Sequence, residues 1–99
     1  MTPNQQSLRY LREQGFLADV VEQRIPHAKF SRDLFNILDI VAVGNGQTMG
    51  VQATSVDHIS HRRVKMRAST ELQTLLDAGW VIVIHGWRKD GRLKEEVLT

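Results

Sequence analysis

The sequence predicts an α/β domain in which a mixed central sheet is flanked by helices. The apolar residues follow a helical spacing at the N-terminus, then form alternating or continuous runs bounded by Gly or Pro, then return to helical spacing. The predicted order is one helix, three strands, one or two helices and two strands. With 99 residues, 41% of them apolar and 24% charged, we expect a single globular domain over residues 1–99.

The first third of the chain predicts a helix, a strand and a loop. Leucines and a tyrosine at helical spacing indicate a short amphipathic helix over residues 5–14, with Gly15 as its stop. Residues 18–25 are rich in β-branched side chains and precede Pro26, which predicts a strand. Residues 27–36 have no clean period and predict a loop or a single helical turn.

A β-hairpin follows and is the clearest local pattern in the chain. Residues 37–43 (ILDIVAV) and 48–54 (TMGVQAT) predict two strands. The Gly-Asn-Gly sequence at residues 44–46 is typical of the tight turn that joins such strands.

The remainder predicts helices and then a second strand pair. Residues 57–67 fit a helix capped by Ser55 or Asp57, and residues 69–78 fit another that Gly79 ends. The apolar run WVIVIHGW then predicts an internal strand over residues 80–87. A turn at Lys89-Asp90-Gly91 leads into a last edge strand over residues 92–98.

Composition limits the chemistry that the chain offers. There is no cysteine, so disulfides and thiolate metal sites are excluded, and any metal must be held by oxygen or imidazole ligands. The N-terminus has no apolar signal segment and the longest apolar run is too short to span a bilayer, so we expect a cytoplasmic or otherwise intracellular protein that is not secreted and has no membrane partner.

Asp39 is the most informative polar residue because it lies within the apolar strand ILDIVAV. Burying a carboxylate is costly unless a cation or hydrogen bonds compensate it. A metal is one explanation, and bonding to backbone amides or to an arginine such as Arg32 is the other. Gln52 and Thr54 are two residues apart and share a face of the partner strand, where a polar, half-exposed surface is the simpler interpretation.

The segment HISHRRVKMR concentrates positive charge in a protein whose net charge is only +2. Such a face attracts phosphates, although a merely solvated helix face has the same composition. The four residues that we predict to contact nucleic acid are Arg62, Arg63, Lys65 and Arg67.

The helix, the strand, the LDIVAV segment, the glycine turn and the MGVQATS segment together resemble the PD-(D/E)XK nuclease superfamily, and within it the archaeal Holliday-junction resolvases. The resemblance spans nearly the whole chain and implies a restriction-endonuclease-like αβββαβ core. It also implies a Mg²⁺ or Mn²⁺ ion held by Asp39, Gln52 and the Ala53 carbonyl. DNA as substrate and a homodimer are implied in the same way.

Two positions depart from the family pattern. Gln52 stands where an acidic ligand is usual, and Thr54 stands where a lysine is usual. A glutamine oxygen binds Mg²⁺ without charge, and a threonine cannot replace an ammonium group. If residues 58–65 are helical, His58, His61 and Lys65 share one face and offer compensation as proton donors or cations; the alternative is a face that only binds phosphates.

Other candidates have simpler explanations. The resemblance leads us to look for a further acid on the first helix, but Glu13 is expected to face solvent. Asp33 is the best spare carboxylate, though a turn or cap residue is the commoner role. Glu22, on the first predicted strand, is a further candidate to face the site, although a surface ion pair is the simpler expectation. His85 is expected to be a hydrogen-bonded core residue, and Phe16, Trp80 and Trp87 are expected to be core residues too.

These observations predict a metal-dependent endonuclease-like domain that acts on DNA phosphodiester bonds with selectivity for DNA structure, as the resemblance to junction resolvases implies. Two alternatives stay open: a catalytically inactive relative that binds nucleic acid or protein, and an unrelated α/β protein in which Asp39 lies far from Gln52 and Thr54.

Overall fold

A computed structural model describes residues 1–27 and 31–99. Its helices are α1 (Pro3–Glu13), α2 (Ile59–Arg67) and α3 (Thr70–Asp77), with a 3₁₀ turn over Val56–His58. Its strands are β1 (Leu17–Val20), β2 (Gln23–Arg24), β3 (Ser31–Arg32), β4 (Ile40–Gly44), β5 (Gln47–Ser55), β6 (Val81–Trp87) and β7 (Leu93–Leu98).

The main sheet has five strands in the order β1-β4-β5-β6-β7 and is mixed. Strands β1, β4 and β5 are antiparallel neighbours, β5 and β6 are parallel, and β7 returns antiparallel to β6. Helices α2 and α3 form the crossover that the parallel pair requires. The predicted α/β class with a mixed sheet and flanking helices is therefore confirmed.

The two faces of the sheet are covered by different helices. Side chains alternate along each strand, so Val83 faces α1 while Ile82 and Ile84 face α2 and α3. The α1 face buries Leu11, Ala18, Ile40, Ala42, Val51 and Val83. The opposite face buries Ile59, Met66, Leu72 and Leu75 of the crossover against the strands.

Local sequence signals explain the ends of the elements that were predicted well. Thr2 forms a capping box with Gln5 at the start of α1, and Gly15 follows its end with a φ of 92°. The turn between β4 and β5 places Asn45 and Gly46 in the left-handed region, as its sequence predicted. Ser69 caps α3 through the Glu71 amide, so that start is confirmed as well.

Two predicted elements are shorter in the structure. The strand predicted over residues 18–25 leaves the main sheet at Val20, because its partner strand begins only at Ile40. Residues 23–24 instead pair with β3 in a separate two-stranded sheet. The helix predicted from residue 57 begins at Ile59, after the 3₁₀ turn, and the side chain of Ser55 caps neither.

The segment before β4 also differs from its prediction. Residues 31–32 form β3, whereas the part of the predicted loop at residues 28–30 lies outside the described residues. A tight turn follows, in which the Leu34 and Leu38 backbones form a bridge. Asp39 is thus placed directly before β4 and not within it.

Candidate functional site

Asp39 is fixed at the junction between this turn and the sheet. Its N–H donates to the Val51 carbonyl at 2.8 Å, which anchors it beside β5. The side chain is buried, and its Oδ2 accepts the backbone N–H of Ala53 at 2.9 Å as well as the side-chain amide of Gln52. The hairpin therefore brings together the three positions that the sequence singled out as metal ligands.

The Asp39 carboxyl has a strongly raised pKa of about 7. Burial is the main cause, and the nearby Asp33 carboxylate raises the pKa further. The hydrogen bonds from Ala53 and Gln52 oppose the shift but do not cancel it. The Asp39 carboxyl thus takes up a proton near neutral pH.

Two further carboxylates complete an acidic cluster. Oxygen atoms of Glu22, Asp33 and Asp39 all lie within 4.8 Å of one another. Glu22 follows β1 and is oriented by the Nδ2 of Asn4, which donates to its Oε2 at 2.8 Å. Of the two roles considered for Glu22, the structure favours the less expected one, because its side chain faces the candidate site.

The cluster lines a pocket of about 220 Å³ at the N-terminal end of α1. The first helical residues and Thr2 form one wall, so the positive end of the helix dipole faces the acids. Arg62 of α2 lines the same pocket, and its Nε is buried without a hydrogen-bond partner in the part of the chain described. Three carboxylates, one guanidinium and one helix terminus therefore converge on one space.

Gln52 lies at the floor of this pocket with 2% of its surface exposed. Its nitrogen donates to Asp39, while its oxygen Oε1 is buried and has no hydrogen-bond partner among the described residues. Leaving a buried acceptor unsatisfied costs about 1–3 kcal/mol. The amide is consequently positioned beside the carboxylates with an unused oxygen.

Thr54 and three residues of the basic segment lie outside the pocket that the predicted metal ligands share. Thr54 is buried but is not among the residues that line the pocket. His58, His61 and Lys65 are exposed, as a shared face requires, and none of them lines it either. Because α2 turns Ile59 and Met66 into the core, the residue between them on the inner side is Arg62. The sequence predicted Arg62 as a nucleic-acid contact and not as part of the acidic pocket.

Two other predicted nucleic-acid contacts already have protein partners. Arg63 donates to both carboxylate oxygens of Glu96 on β7, at 2.5 and 2.7 Å, and this pairing raises the Arg63 pKa and lowers that of Glu96. Arg67 donates to the carbonyl of Thr99 at 3.2 Å. Lys65 is left as an exposed cation on this helix.

A second polar group is buried on the α1 side of the sheet. The hydroxyl of Ser7 lies 2.9 Å from His85 Nδ1 and accepts a hydrogen bond from Trp87 Nε1 at 2.8 Å. Burial lowers the pKa of His85 to about 4, although Glu95 opposes the shift, so the ring is neutral at pH 7. Ser7 and His85 are fully buried, which excludes a serine nucleophile and confirms His85 as a core residue.

The aromatic residues and Glu13 match their predictions. Trp87 is buried, and Phe16 and Trp80 pack against the two cores from partly buried positions. Glu13 is exposed and pairs with Arg9 on the outer face of α1.

Comparisons with protein-family models, with curated proteins and with solved structures find no match to this chain. Among the residues that the structure describes, no helix has the length and apolar character needed to cross a bilayer.

Proposed function

We propose that the pocket binds a divalent cation and that the domain is a metal-dependent endonuclease-like protein acting on DNA phosphodiester bonds. One observation carries the proposal: three carboxylates from separate segments meet within 4.8 Å of one another beside a buried glutamine with an unused oxygen. Like charges this close repel, and a cation relieves that repulsion.

The donor set suits a hard cation. Carboxylate and amide oxygens are the ligands that Mg²⁺ and Mn²⁺ take in proteins, and here Glu22, Asp33 and Asp39 supply the charge. The lone acid expected from the resemblance is thus joined by two others. Gln52 would contribute its free oxygen, and the Ala53 carbonyl stays a predicted ligand.

The architecture of the main sheet supports a restriction-endonuclease-like core. One helix, three antiparallel strands, the helical crossover and a strand parallel to β5 follow in the order that the resemblance implies. Asp39 and Gln52 are in direct contact, as the resemblance requires of its two ligand positions, which favours the nuclease over an unrelated α/β protein in which they lie apart.

The residues of the chain have separable tasks in this proposal. When bound, a divalent cation stabilises negative charge on a phosphoryl group and favours attack by water at neutral pH. Asn4 and the Ala53 amide orient two of the carboxylates, at 2.8 and 2.9 Å. Arg62 contacts the phosphate and takes the place of the missing lysine as a fixed positive charge, while the exposed Lys65 attracts the backbone at longer range.

Cleavage and binding assays test the proposal together. Labelled duplex, single-stranded, flap and four-way-junction DNA would be incubated with Mg²⁺, Mn²⁺ or EDTA, using wild-type protein and Asp39→Asn. We expect products only with metal, and none with Asp39→Asn. Calorimetric titration with Mn²⁺ in the absence of DNA should show binding to wild type that Asp33→Asn weakens. No heat and no products would refute the proposal.

A catalytically inactive nucleic-acid-binding module is the second candidate, and the exposed basic residues of α2 favour it. Such a module binds DNA equally well in Mg²⁺ and in EDTA, and Asp39→Asn leaves its affinity unchanged. A homodimer is a further part of our proposal for either function, and sedimentation velocity measures it directly.

A further inference from the structure

A second cavity of about 330 Å³ adjoins the carboxylate pocket. Asp33 lines both, so the two spaces share this residue. The other walls come from the tight turn before β4, from the chain around β2 and β3, and from the start of α3. They include Val21, Arg32, Leu34, Phe35, Asn36 and Glu71.

Phe35 is held in an unusual conformation at this cavity. It and Asn36 have φ values of 54° and 64°, which places both central residues of the turn in the left-handed region. Ile37 N–H closes that turn on the Leu34 carbonyl at 3.2 Å. Asparagine tolerates this region, but a bulky aromatic residue rarely adopts it.

The side chain of Phe35 is also 44% exposed, which is unusual for a large aromatic residue. The backbone conformation disfavours an aromatic residue at this position, and the side chain is not buried in the core. Neither property therefore explains why a phenylalanine occurs here. Strained residues of this kind concentrate at binding and catalytic sites, where the surrounding structure holds them in place. The turn holds Phe35 only two residues from Asp33 of the acidic cluster.

The chemistry of the cavity fits a nucleobase. Val21, Leu34 and Phe35 provide apolar and aromatic surface, on which the flat face of any base packs. Asn36 and Arg32 offer hydrogen-bond donors, and Glu71 offers acceptors, for the polar edge of the base. A phosphate attached to that nucleotide would lie toward Asp33 and the neighbouring pocket.

We propose that this cavity binds an unpaired nucleobase, stacked on Phe35, beside the phosphodiester in the carboxylate pocket. The inference rests on the proposed function and narrows its substrate class. A base within a duplex has both faces covered by its neighbours, so it cannot stack on Phe35. The preferred substrates are consequently single strands, flaps and junctions with unstacked bases.

Binding of fluorescein-labelled oligonucleotides in Ca²⁺ tests the inference with Phe35→Asn and Phe35→Tyr. Asparagine suits the left-handed backbone, so the first variant keeps the turn while losing the stacking surface. We expect it to bind single strands about tenfold more weakly, with duplex binding changed by less than about twofold. Phe35→Tyr keeps the aromatic face and should remain within about twofold of wild type.

Val43→Thr is the matched control, because Val43 is similarly exposed, at 46%, and lies outside both pockets. Its single-strand affinity should equal that of wild type. A second measurement needs no variant: 2-aminopurine placed in the single strand should lose fluorescence on binding to wild type, through stacking on Phe35.

The outcomes separate this inference from the proposed function. If wild type binds single strands but Phe35→Asn matches it and 2-aminopurine is not quenched, the base site is refuted while the metal site stands. If wild type binds no oligonucleotide with any metal, both fail. Weaker single-strand binding by Phe35→Asn, with quenching by wild type, supports the base site.

Discussion

The side-chain nitrogen of Gln52 lies against Oδ2 of Asp39, and the backbone N–H of Ala53 approaches the same oxygen at 2.9 Å. The buried acid is therefore held by two donors of the protein itself. A glutamate at residue 52 would present oxygen to oxygen instead. The glutamine thus lets the protein's own donors satisfy the buried carboxyl, with one negative charge fewer than a glutamate would bring.

Replacing Gln52 with Glu should exchange stability for metal affinity. A fourth carboxylate in the cluster repels the others, so we expect the free energy of unfolding in EDTA at about pH 8 to fall by about 2–4 kcal/mol. The same charge should tighten Mn²⁺ binding at least about tenfold. Urea unfolding with EDTA and with Mn²⁺ measures both effects.

Gln52→Met is the matched control for this prediction. It removes the hydrogen bond to Asp39 without adding charge, so it should also destabilise the protein, by about 1–3 kcal/mol. Mn²⁺ should rescue Gln52→Glu strongly and Gln52→Met weakly. Equal rescue of the two variants would show that residue 52 does not contribute to a cation site.

Removing the charge of Arg62 should strengthen the binding of Mn²⁺ and weaken the binding of DNA. Arg62 lines the pocket of the three carboxylates, so Arg62→Met lowers the positive potential there and should strengthen Mn²⁺ binding severalfold. If Arg62 contacts a phosphate, the same variant should bind DNA more weakly, and the slope of log affinity against log salt should decrease by about one.

Lys65→Met serves as the comparison for Arg62→Met, because Lys65 is exposed and does not line the pocket. It should weaken DNA binding and leave Mn²⁺ binding unchanged. Calorimetry and fluorescence anisotropy over a salt series give both quantities. Identical Mn²⁺ affinities for the two variants would place Arg62 outside the electrostatic field of the cluster.

The sequence was sufficient for the elements whose signals are local. The hairpin turn, the cap of α3 and the run of β6 each depend on neighbouring residues, and each was predicted close to its observed bounds. Asp39 and Gln52 were predicted together because a hairpin fixes which residues oppose one another.

The rest of the site depends on contacts between distant segments. Glu22 reaches the cluster only because β1 ends at Val20, and that end is set by the start of its partner strand. Arg62 lies between the buried Ile59 and Met66 at helical spacing, so the packing of α2 against the sheet brings it to the pocket. Asn4 is polar at the start of an amphipathic helix, but only its spatial neighbour Glu22 reveals its role.

Ser7→Ala should be strongly destabilising although the change is small. The hydroxyl is the partner of both Trp87 Nε1 and His85 Nδ1, at 2.8 and 2.9 Å in a fully buried space. Its loss leaves two buried polar atoms unsatisfied, and we expect the free energy of unfolding to fall by about 2–4 kcal/mol. Urea unfolding checks this value against Ser69→Ala, which removes a helix cap and should cost about 1 kcal/mol.

The stability of the protein should respond to pH through two groups with opposite effects. His85 has a folded pKa of about 4, below its ordinary 6.5. Its contribution to the free energy of unfolding is therefore complete above pH 6.5 and is lost as pH falls toward 4. Asp39 has a folded pKa raised from 3.8 to about 7. Its contribution to the free energy of unfolding is therefore complete below pH 3.8 and is lost as pH rises toward 7. Without metal, the two slopes partly cancel in wild type.

Asp39→Asn removes the pH dependence of stability that comes from Asp39, so the pH dependence that comes from His85 should become measurable. In EDTA, we expect the free energy of unfolding of this variant to rise between about pH 4.5 and about pH 6.5, by up to about 3 kcal/mol for the full His85 shift. Adding His85→Gln to Asp39→Asn should flatten the curve, since a glutamine does not titrate. A curve for Asp39→Asn that is flat or falls with pH would mean that burial of neutral His85 does not control stability in this range.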